Sequence, residues 1–109
     1  MAQEKYLIFA NSTADTMMFP ASSIAFLENT DADTMQIHFH PGTDNTAGSV
    51  VFEITSGYGV DFAKILFRNI RNSRESFIVV ADDVNSNYLK GNVGTTTVEA
   101  TACTTIALL

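Results

Sequence analysis

Residues 50–72 read VVFEITSGYGVDFAKILFRNIRN and contain the change from strand to helix that decides the fold. In the first part, Val50, Phe52 and Ile54 alternate with other residues, which is the period of a half-buried β-strand. A segment with two glycines then interrupts the strand, and the apolar residues that follow recur at the spacing of an amphipathic helix. The pattern predicts a strand followed by a helix near Val60 to Asn72.

The predicted helix has a cationic face in an acidic chain. The protein has a formal net charge of −6 and only six Lys and Arg residues. Four of the six fall within eleven consecutive positions: Lys64, Arg68, Arg71 and Arg74. Spacings of four and three place the first three on one side of a helix. The opposite side carries Phe62, Leu66 and Ile70, with Ala63, Ile65 and Phe67 at its margins.

Three interpretations of the cationic face are open. It could be the solvated side of an amphipathic helix. Its guanidinium groups could instead contact the phosphates of RNA or DNA, for which arginine is well suited. Alternatively, the partner could be an acidic protein surface, such as Glu28–Asp33 or Asp82-Asp83 of a second copy. The net negative charge opposes avid, non-specific binding of nucleic acid and leaves only a local patch for it.

The rest of the chain is rich in short strand patterns. The clearest are Tyr6–Phe9, Met35–His40, Phe77–Ala81 and the Thr- and Val-rich tail. Connections between the first strands are too short for parallel crossovers, which favours an antiparallel meander. We predict one domain over residues 1–109 with six or seven strands. Its fold class is mainly β with one helix (β-rich α+β), as a small, strongly bent antiparallel sheet or open barrel.

Composition excludes several classes of protein. Apolar residues make up 46% of the chain and charged residues 17%, which is typical of a globular domain. No apolar stretch approaches the roughly eighteen residues that a membrane span needs. The first residues lack the basic and apolar regions of a secretion signal. We expect the protein to remain in a cytoplasm or to be packaged with something made there.

No arrangement of residues predicts catalysis or a bound cofactor. Cys103 is the only cysteine and is predicted to be a small buried filler. His38 and His40 share one side of a strand, but a metal site would need further ligands such as Asp31, Asp33 or Asp44. We find no carboxylate pair in apolar surroundings and no nucleophile motif. We therefore predict no enzyme activity, no cofactor and no metal.

Two further segments resemble known binding motifs but lack some of the residues that those motifs require. Gly57 and Gly59, with Asp82 downstream, resemble a dinucleotide fingerprint, but Phe62 occupies the position of its third glycine. These glycines are predicted only to turn the strand into the helix. The acidic segment Glu28–Asp33 lacks the glycine and the closing glutamate of a calcium loop, so we expect a solvated turn.

The segment Tyr88-Leu89-Lys90-Gly91-Asn92-Val93 resembles the second signature of the Sm and LSm proteins. In that signature an apolar residue, a basic residue, glycine, often asparagine, and a β-branched residue follow one another. The family folds as a strongly bent barrel of five strands with one helix, forms rings by edge-strand pairing, and binds single-stranded RNA at the inner rim. The resemblance implies an Sm-like barrel and assigns RNA contact to Lys90, Gly91 and Asn92. In that family the helix precedes the strands, whereas this predicted helix follows four of them.

Self-association also has a physical motive. The segment Thr95–Ala102 is polar and thinly charged, so it is predicted to offer an edge for pairing with another copy. The Thr-, Asn- and Asp-rich loops make the chain similar to small β-rich proteins of marine cyanophages.

We therefore predict a non-catalytic, ring-forming, Sm-like homo-oligomer, with single-stranded RNA as the ligand that the resemblance implies. The alternative is a phage structural or assembly protein that binds no nucleic acid. Its location would be the host cytoplasm or the virion. The predicted RNA contacts are Lys64, Arg68, Arg71, Arg74, Lys90, Gly91 and Asn92.

Overall fold

The computed structural model describes residues 4–40 and 48–108, which contain nine β-strands and one α-helix. The strands are β1 (Tyr6–Ser12), β2 (Asp15–Pro20), β3 (Ile24–Asp31), β4 (Thr34–Phe39), β5 (Gly48–Ile54), β6 (Phe77–Asp82), β7 (Asn87–Tyr88), β8 (Lys90–Val93) and β9 (Thr96–Leu108), and the helix is α1 (Gly59–Asn72). A short 3-10 turn, Ala21–Ser23, joins β2 to β3. The mainly β fold with one helix is confirmed, with more strands than predicted. The sequence also predicts that Pro41-Gly42 ends the strand before it and that a loop runs from there to Gly48; residues 41–47 lie outside the described residues.

Five strands form a strongly curled, antiparallel open half-barrel in the order β3-β4-β5-β9-β8. Buried side chains alternate along β4 and β5, and Met35, Ile37 and Phe39 of β4 are all buried. The predicted meander is present here, because β3, β4 and β5 follow one another with antiparallel pairing. The bent sheet that the sequence predicts is therefore confirmed.

A second sheet has the order β2-β1-β6-β7, and its central pair β1 and β6 runs parallel. The register places Tyr6 opposite Phe77 and Leu7 opposite Ile78. Parallel neighbours need a long connection, and here the connection contains most of the half-barrel and the helix. The antiparallel meander predicted from short connections therefore does not extend to this pair.

Phenylalanine rings join the two sheets and the helix. Phe9 of β1, Phe52 of β5 and Phe62 of α1 are fully buried. The centroid of the Phe52 ring lies 6.0 Å from that of Phe9 and 5.4 Å from that of Phe62. Ile65 and Leu66 complete the buried side of α1. The predicted apolar side of the helix is confirmed, with Ile65 nearer its centre than expected.

Strand β9 pairs with two neighbours of the half-barrel. Thr96–Glu99 pair with β8, and residues from Ala100 to Leu108 pair with β5. Thr95–Ala102 is predicted to offer an edge to another copy; within the chain, Thr96–Glu99 of this segment pair with β8, and Ala100 and Ala102 pair with β5. Among the described strands, β3 and β8 are the outer strands of this sheet. No helix in the described residues is long and apolar enough to span a membrane.

Candidate nucleic-acid interface

Helix α1 presents its basic side chains to solvent. Lys64, Arg68 and Arg71 are exposed, and Arg74 is exposed shortly after the helix ends. The opposite side of the helix is buried against the core, so these cations share the outward face. We call Lys64, Arg68 and Arg71 the basic helix face.

The ends of α1 follow from local interactions. Asp61 in the first turn and Arg71 in the last turn both suit the helix dipole. At the C-terminal end, the Ser73 N–H donates to the Asn69 carbonyl at 2.9 Å, and the Asn69 side chain donates to the Ile65 carbonyl at 2.9 Å. The Ser73 bond satisfies one of the four carbonyls that the last turn would otherwise leave open.

The basic helix face forms no ion pair with a described residue. Within residues 4–40 and 48–108, the only basic group within 4.0 Å of a carboxylate oxygen is His38, whose Nε2 lies 3.3 Å from Glu28 Oε1. Of the twelve Asp and Glu residues, all but Asp44 belong to the described residues, so the placement of these carboxylates, not their number, leaves the basic helix face without an ion pair among them. The face is a patch of positive charge on a negatively charged protein.

A groove of about 670 Å³ opens beside the C-terminal part of α1. The helix, the residues before β1 and the 3-10 turn form its walls. We call it the basic groove, and its lining includes Lys5, Ala21, Phe67, Ile70, Arg71 and Arg74. The groove therefore joins the end of the basic helix face to a lysine that is distant in sequence.

Two other charged groups of the basic groove are engaged within the chain. The Lys5 ammonium donates to the Ser73 carbonyl, and the Ser22 hydroxyl donates to the Glu4 carboxylate. Lys5 thereby fixes the chain that leaves the helix, and Glu4 fixes the 3-10 turn. Arg71 and Arg74 are the remaining cations of the groove, and neither forms an ion pair with a carboxylate of the described residues.

The sequence did not identify two residues of the basic groove. The helical pattern predicts Phe67 at the margin of the apolar side, yet 45% of this residue is exposed. Phe67 lies three residues after Lys64 and four before Arg71, so it borders the basic helix face. This spacing could have indicated that the side chain is exposed. Lys5 carries no such local signal, because it meets α1 only through tertiary structure.

The structure separates Lys90 and Asn92 from the basic helix face. Gly91 points toward α1, since a Cβ at this position would lie 2.9 Å from Ile65 Cγ1. Side chains alternate along a strand, so Lys90 and Asn92 point to the opposite side of the sheet, where Lys90 lies across from Glu99. The predicted RNA contacts thus form two groups, and Gly91 is a packing residue between strand and helix.

The two histidines do not form a metal site with other described residues. The His38 ring stacks on Phe26, with centroids 4.3 Å apart and planes at 16°, and it also contacts Glu28. His40 is exposed immediately after β4. Among the residues described, no three His, Cys, Asp or Glu side chains are grouped as metal ligands. Asp44 lies outside the described residues.

The Asp82 carboxylate is buried and organises a turn. It accepts the backbone N–H groups of Val84 at 2.9 Å and Asn85 at 3.1 Å, and the Asn85 amide at 2.9 Å. The hydrogen bond from the Asn85 side chain is the main cause that lowers the pKa of Asp82, with the two backbone bonds acting in the same direction and burial opposing them. Its bonds are local, so it is neither a ribose ligand nor an acidic surface for a partner.

The neighbouring groups are held in their neutral forms. A hydrogen bond to Asp83 raises the pKa of Tyr88 to about 12, with burial adding to the effect. Burial, followed by repulsion from Asp83, raises the pKa of Cys103 to about 11. Cys103 is 3% exposed, which confirms it as a buried filler. A protonated, buried thiol is a poor nucleophile.

The glycine junction before α1 has a structural role. Gly57 has a φ of 85°, a conformation that favours glycine in a turn. A Cβ at Gly59 would overlap the Asn29 side chain at 1.5 Å. The Asn29 amide itself donates to the carbonyls of Asp31 and Thr34. The junction is filled by this asparagine, which leaves no room for a pyrophosphate against Gly59.

Comparison with known proteins assigns no family. No family model matches the chain, and neither the curated proteins nor the solved structures give a match. The candidate interface is therefore defined by the chain's own geometry: an unpaired basic helix face that continues into a groove with an exposed aromatic ring.

Proposed function

We propose that this protein is a non-catalytic module that assembles with copies of itself and binds single-stranded RNA along the basic helix face. The observation that carries the proposal is the group of exposed cations on α1 that pair with no carboxylate of residues 4–40 and 48–108. Exposed cations without carboxylate partners keep their full attraction for phosphate, and guanidinium groups bind phosphate in a two-pronged geometry.

The size and charge of the patch set the expected mode of binding. Lys64 and Arg71 are separated by about 10 Å along the helix axis at 1.5 Å per residue. Such a patch contacts only a few phosphates, and the net charge of −6 repels nucleic acid elsewhere. We expect moderate affinity that falls steeply with salt, because binding releases counterions from the RNA.

Fluorescence anisotropy with a short, labelled single-stranded RNA at low and moderate salt tests this proposal. The double variant Arg68→Gln, Arg71→Gln should weaken binding and reduce the slope of log K against log salt by about 1.4, at about 0.7 per lost phosphate contact. Lys90→Gln is the matched control, because it removes one cation from the opposite side of the sheet. If Lys90→Gln weakens binding and the double variant does not, RNA binds on β8 as the Sm resemblance implies, and the helix proposal fails.

The proposal of self-association is supported by the outer side of the four-stranded sheet. Tyr6, Met18 and Phe77 are 37%, 54% and 54% exposed there. The rings of Tyr6 and Phe77, neighbours on the parallel pair, have centroids 5.9 Å apart. Apolar side chains grouped on an exposed surface are typical of interfaces. The outer strands β3 and β8 offer a second route, through edge pairing that closes into a ring.

Light scattering measures the molar mass and thereby tests self-association. We expect a mass well above the 11.8 kDa of one chain. Met18→Lys should lower the oligomer mass, whereas Val60→Lys, at an exposed position on the helix, should not change it. A wild-type monomer at high protein concentration would contradict this part of the proposal.

The alternative function is a phage structural or assembly protein without nucleic-acid binding. The net negative charge and the exposed Tyr6, Met18 and Phe77 favour it, because assembly needs an apolar interface and no phosphate contacts. Wild-type protein that forms oligomers but binds no oligonucleotide even at low salt would support this alternative. The location follows the function: the host cytoplasm for an RNA-binding protein, and the virion for a structural one.

A further inference from the structure

The basic groove combines cationic and apolar surface. Arg71 and Arg74 supply cationic donors that no described carboxylate pairs, while Phe67, Ile70 and Ala21 supply apolar contact. Its volume of about 670 Å³ lies within the range of about 300–1,000 Å³ that is usual for small-ligand sites.

The charge balance of the groove favours an anion. Lys5, Arg71 and Arg74 give three positive charges against the single carboxylate of Glu4, a difference of +2. Glu4 accepts the Ser22 hydroxyl and Lys5 donates to the Ser73 carbonyl, so both are held in place. A ligand would therefore meet the two arginines as the donors that the chain leaves open.

A bare anion would leave the apolar surface of the groove without a contact. Phe67 is 45% exposed although it follows a buried turn of the helix, and its ring lines the groove beside Arg71. An exposed aromatic ring beside guanidinium groups matches the pattern with which proteins hold unpaired bases and their phosphates. Every base has a π-face, so such a contact tolerates any sequence.

We infer that the basic groove holds one nucleotide of a single-stranded RNA, with its base on Phe67 and its phosphate on Arg71 and Arg74. This inference rests on the proposed function and adds a defined subsite to it. The rest of the strand follows the basic helix face toward Arg68 and Lys64. Recognition depends on stacking and charge, so the groove accepts all four bases.

The test uses two probes, uridine monophosphate followed by NMR and a short single-stranded RNA followed by anisotropy. Phe67→Leu keeps an apolar helix-forming side chain but removes the ring, and it should weaken oligonucleotide binding about 5- to 150-fold, the equivalent of one lost stacking contact. Its salt slope should stay that of the wild type. Arg74→Gln should weaken both probes and reduce the salt slope by about 0.7.

Arg68→Gln is the control outside the groove: it should weaken the oligonucleotide and leave the mononucleotide unchanged. Unchanged melting temperatures would show that each variant folds. If Phe67→Leu binds both probes as the wild type does, the subsite is overturned while RNA binding by the helix stands. If inorganic phosphate displaces the mononucleotide at equal concentration, the base contact is overturned. If the wild type binds no oligonucleotide, the subsite and the proposed function fall together.

Discussion

The Tyr88 hydroxyl donates a hydrogen bond of 2.7 Å to the Asp83 carboxylate, which also accepts the backbone N–H of Cys103 at 3.0 Å. Tyr88 belongs to the four-stranded sheet and Cys103 to β9 of the half-barrel. One oxygen of the Asp83 carboxylate therefore links the four-stranded sheet to β9 of the half-barrel. The Asn11 amide adds a second link of this kind, since it donates to the Thr104 carbonyl at 2.7 Å.

Removal of the Tyr88 hydroxyl should weaken this link. In Tyr88→Phe, Asp83 keeps the Cys103 N–H but loses its side-chain donor in a partly buried site. We expect the free energy of unfolding to fall by about 1–3 kcal/mol. Urea denaturation of both proteins measures the difference. Equal denaturation midpoints would show that water replaces the hydroxyl without cost.

The same bond predicts a loss of stability in alkali. The pKa of Tyr88 is raised from 10.0 to about 12 in the folded protein. Stability from the protonated phenol is therefore complete below pH 10 and is lost as the pH rises through 12. Wild-type protein should therefore lose more stability over this range than Tyr88→Phe does. Cys103 titrates in both proteins, so the difference between the two pH profiles isolates Tyr88.

The lowered pKa of Asp82 predicts the opposite pH dependence of the free energy of unfolding. Its pKa is lowered below 3.8 in the folded state, so its contribution is present above that pH and is lost as the pH falls through the lower folded value. Asp82→Asn keeps one carbonyl oxygen as an acceptor for the turn. Its NH₂ group cannot accept the hydrogen bond that the Asn85 amide donates to Asp82. We expect a loss of about 1–2 kcal/mol at neutral pH, which shrinks as the pH falls below 3.8. A difference that stays constant with pH would point to packing and not to the carboxylate.

Gly91 provides a test of structural against RNA-binding roles. A Cβ at this position would lie 2.9–3.2 Å from three atoms of the Ile65 side chain. Gly91→Ala should therefore destabilise the fold by about 1–3 kcal/mol through overpacking. Ile65→Val removes one of the crowded atoms, so the double variant should lose less stability than the sum of the single variants.

The Gly91→Ala protein should bind RNA as the wild type does while it remains folded. If folded Gly91→Ala binds RNA more weakly while Arg68→Gln binds it as the wild type does, the RNA binds at β8 and not at the basic helix face. Chemical denaturation gives the stability, and anisotropy at a temperature well below the midpoint gives the affinity.

The features that could be predicted from the sequence are those with a local period. The helix was expected from Val60 to Asn72 and observed from Gly59 to Asn72, because glycine and apolar spacing mark its start and side. Alternation likewise predicted Met35–His40 as a strand, and β4 occupies Thr34–Phe39. The exposure of the basic side chains follows directly from the helical period.

Features that depend on distant contacts could not be predicted. Tyr6 pairs with Phe77, and the Lys5 ammonium donates to the Ser73 carbonyl. In both cases the two segments are far apart in the sequence, and no local pattern indicates that they meet. The separation of Lys90 from the basic helix face depends on which side of β8 meets α1. Gly91 determines that side through its contact with Ile65, and a six-residue motif cannot reveal it.

The parallel pairing of β1 with β6 has a consequence for how the protein is made. On the ribosome, the hairpin of β1 and β2 emerges before the helix, and its neighbour β6 follows only after the helix has been synthesised. Until then the backbone N–H and C=O groups along one edge of β1 remain open to other nascent chains. Closing so large a loop also makes folding slow. Chaperone dependence during synthesis would be the cellular sign of this delay.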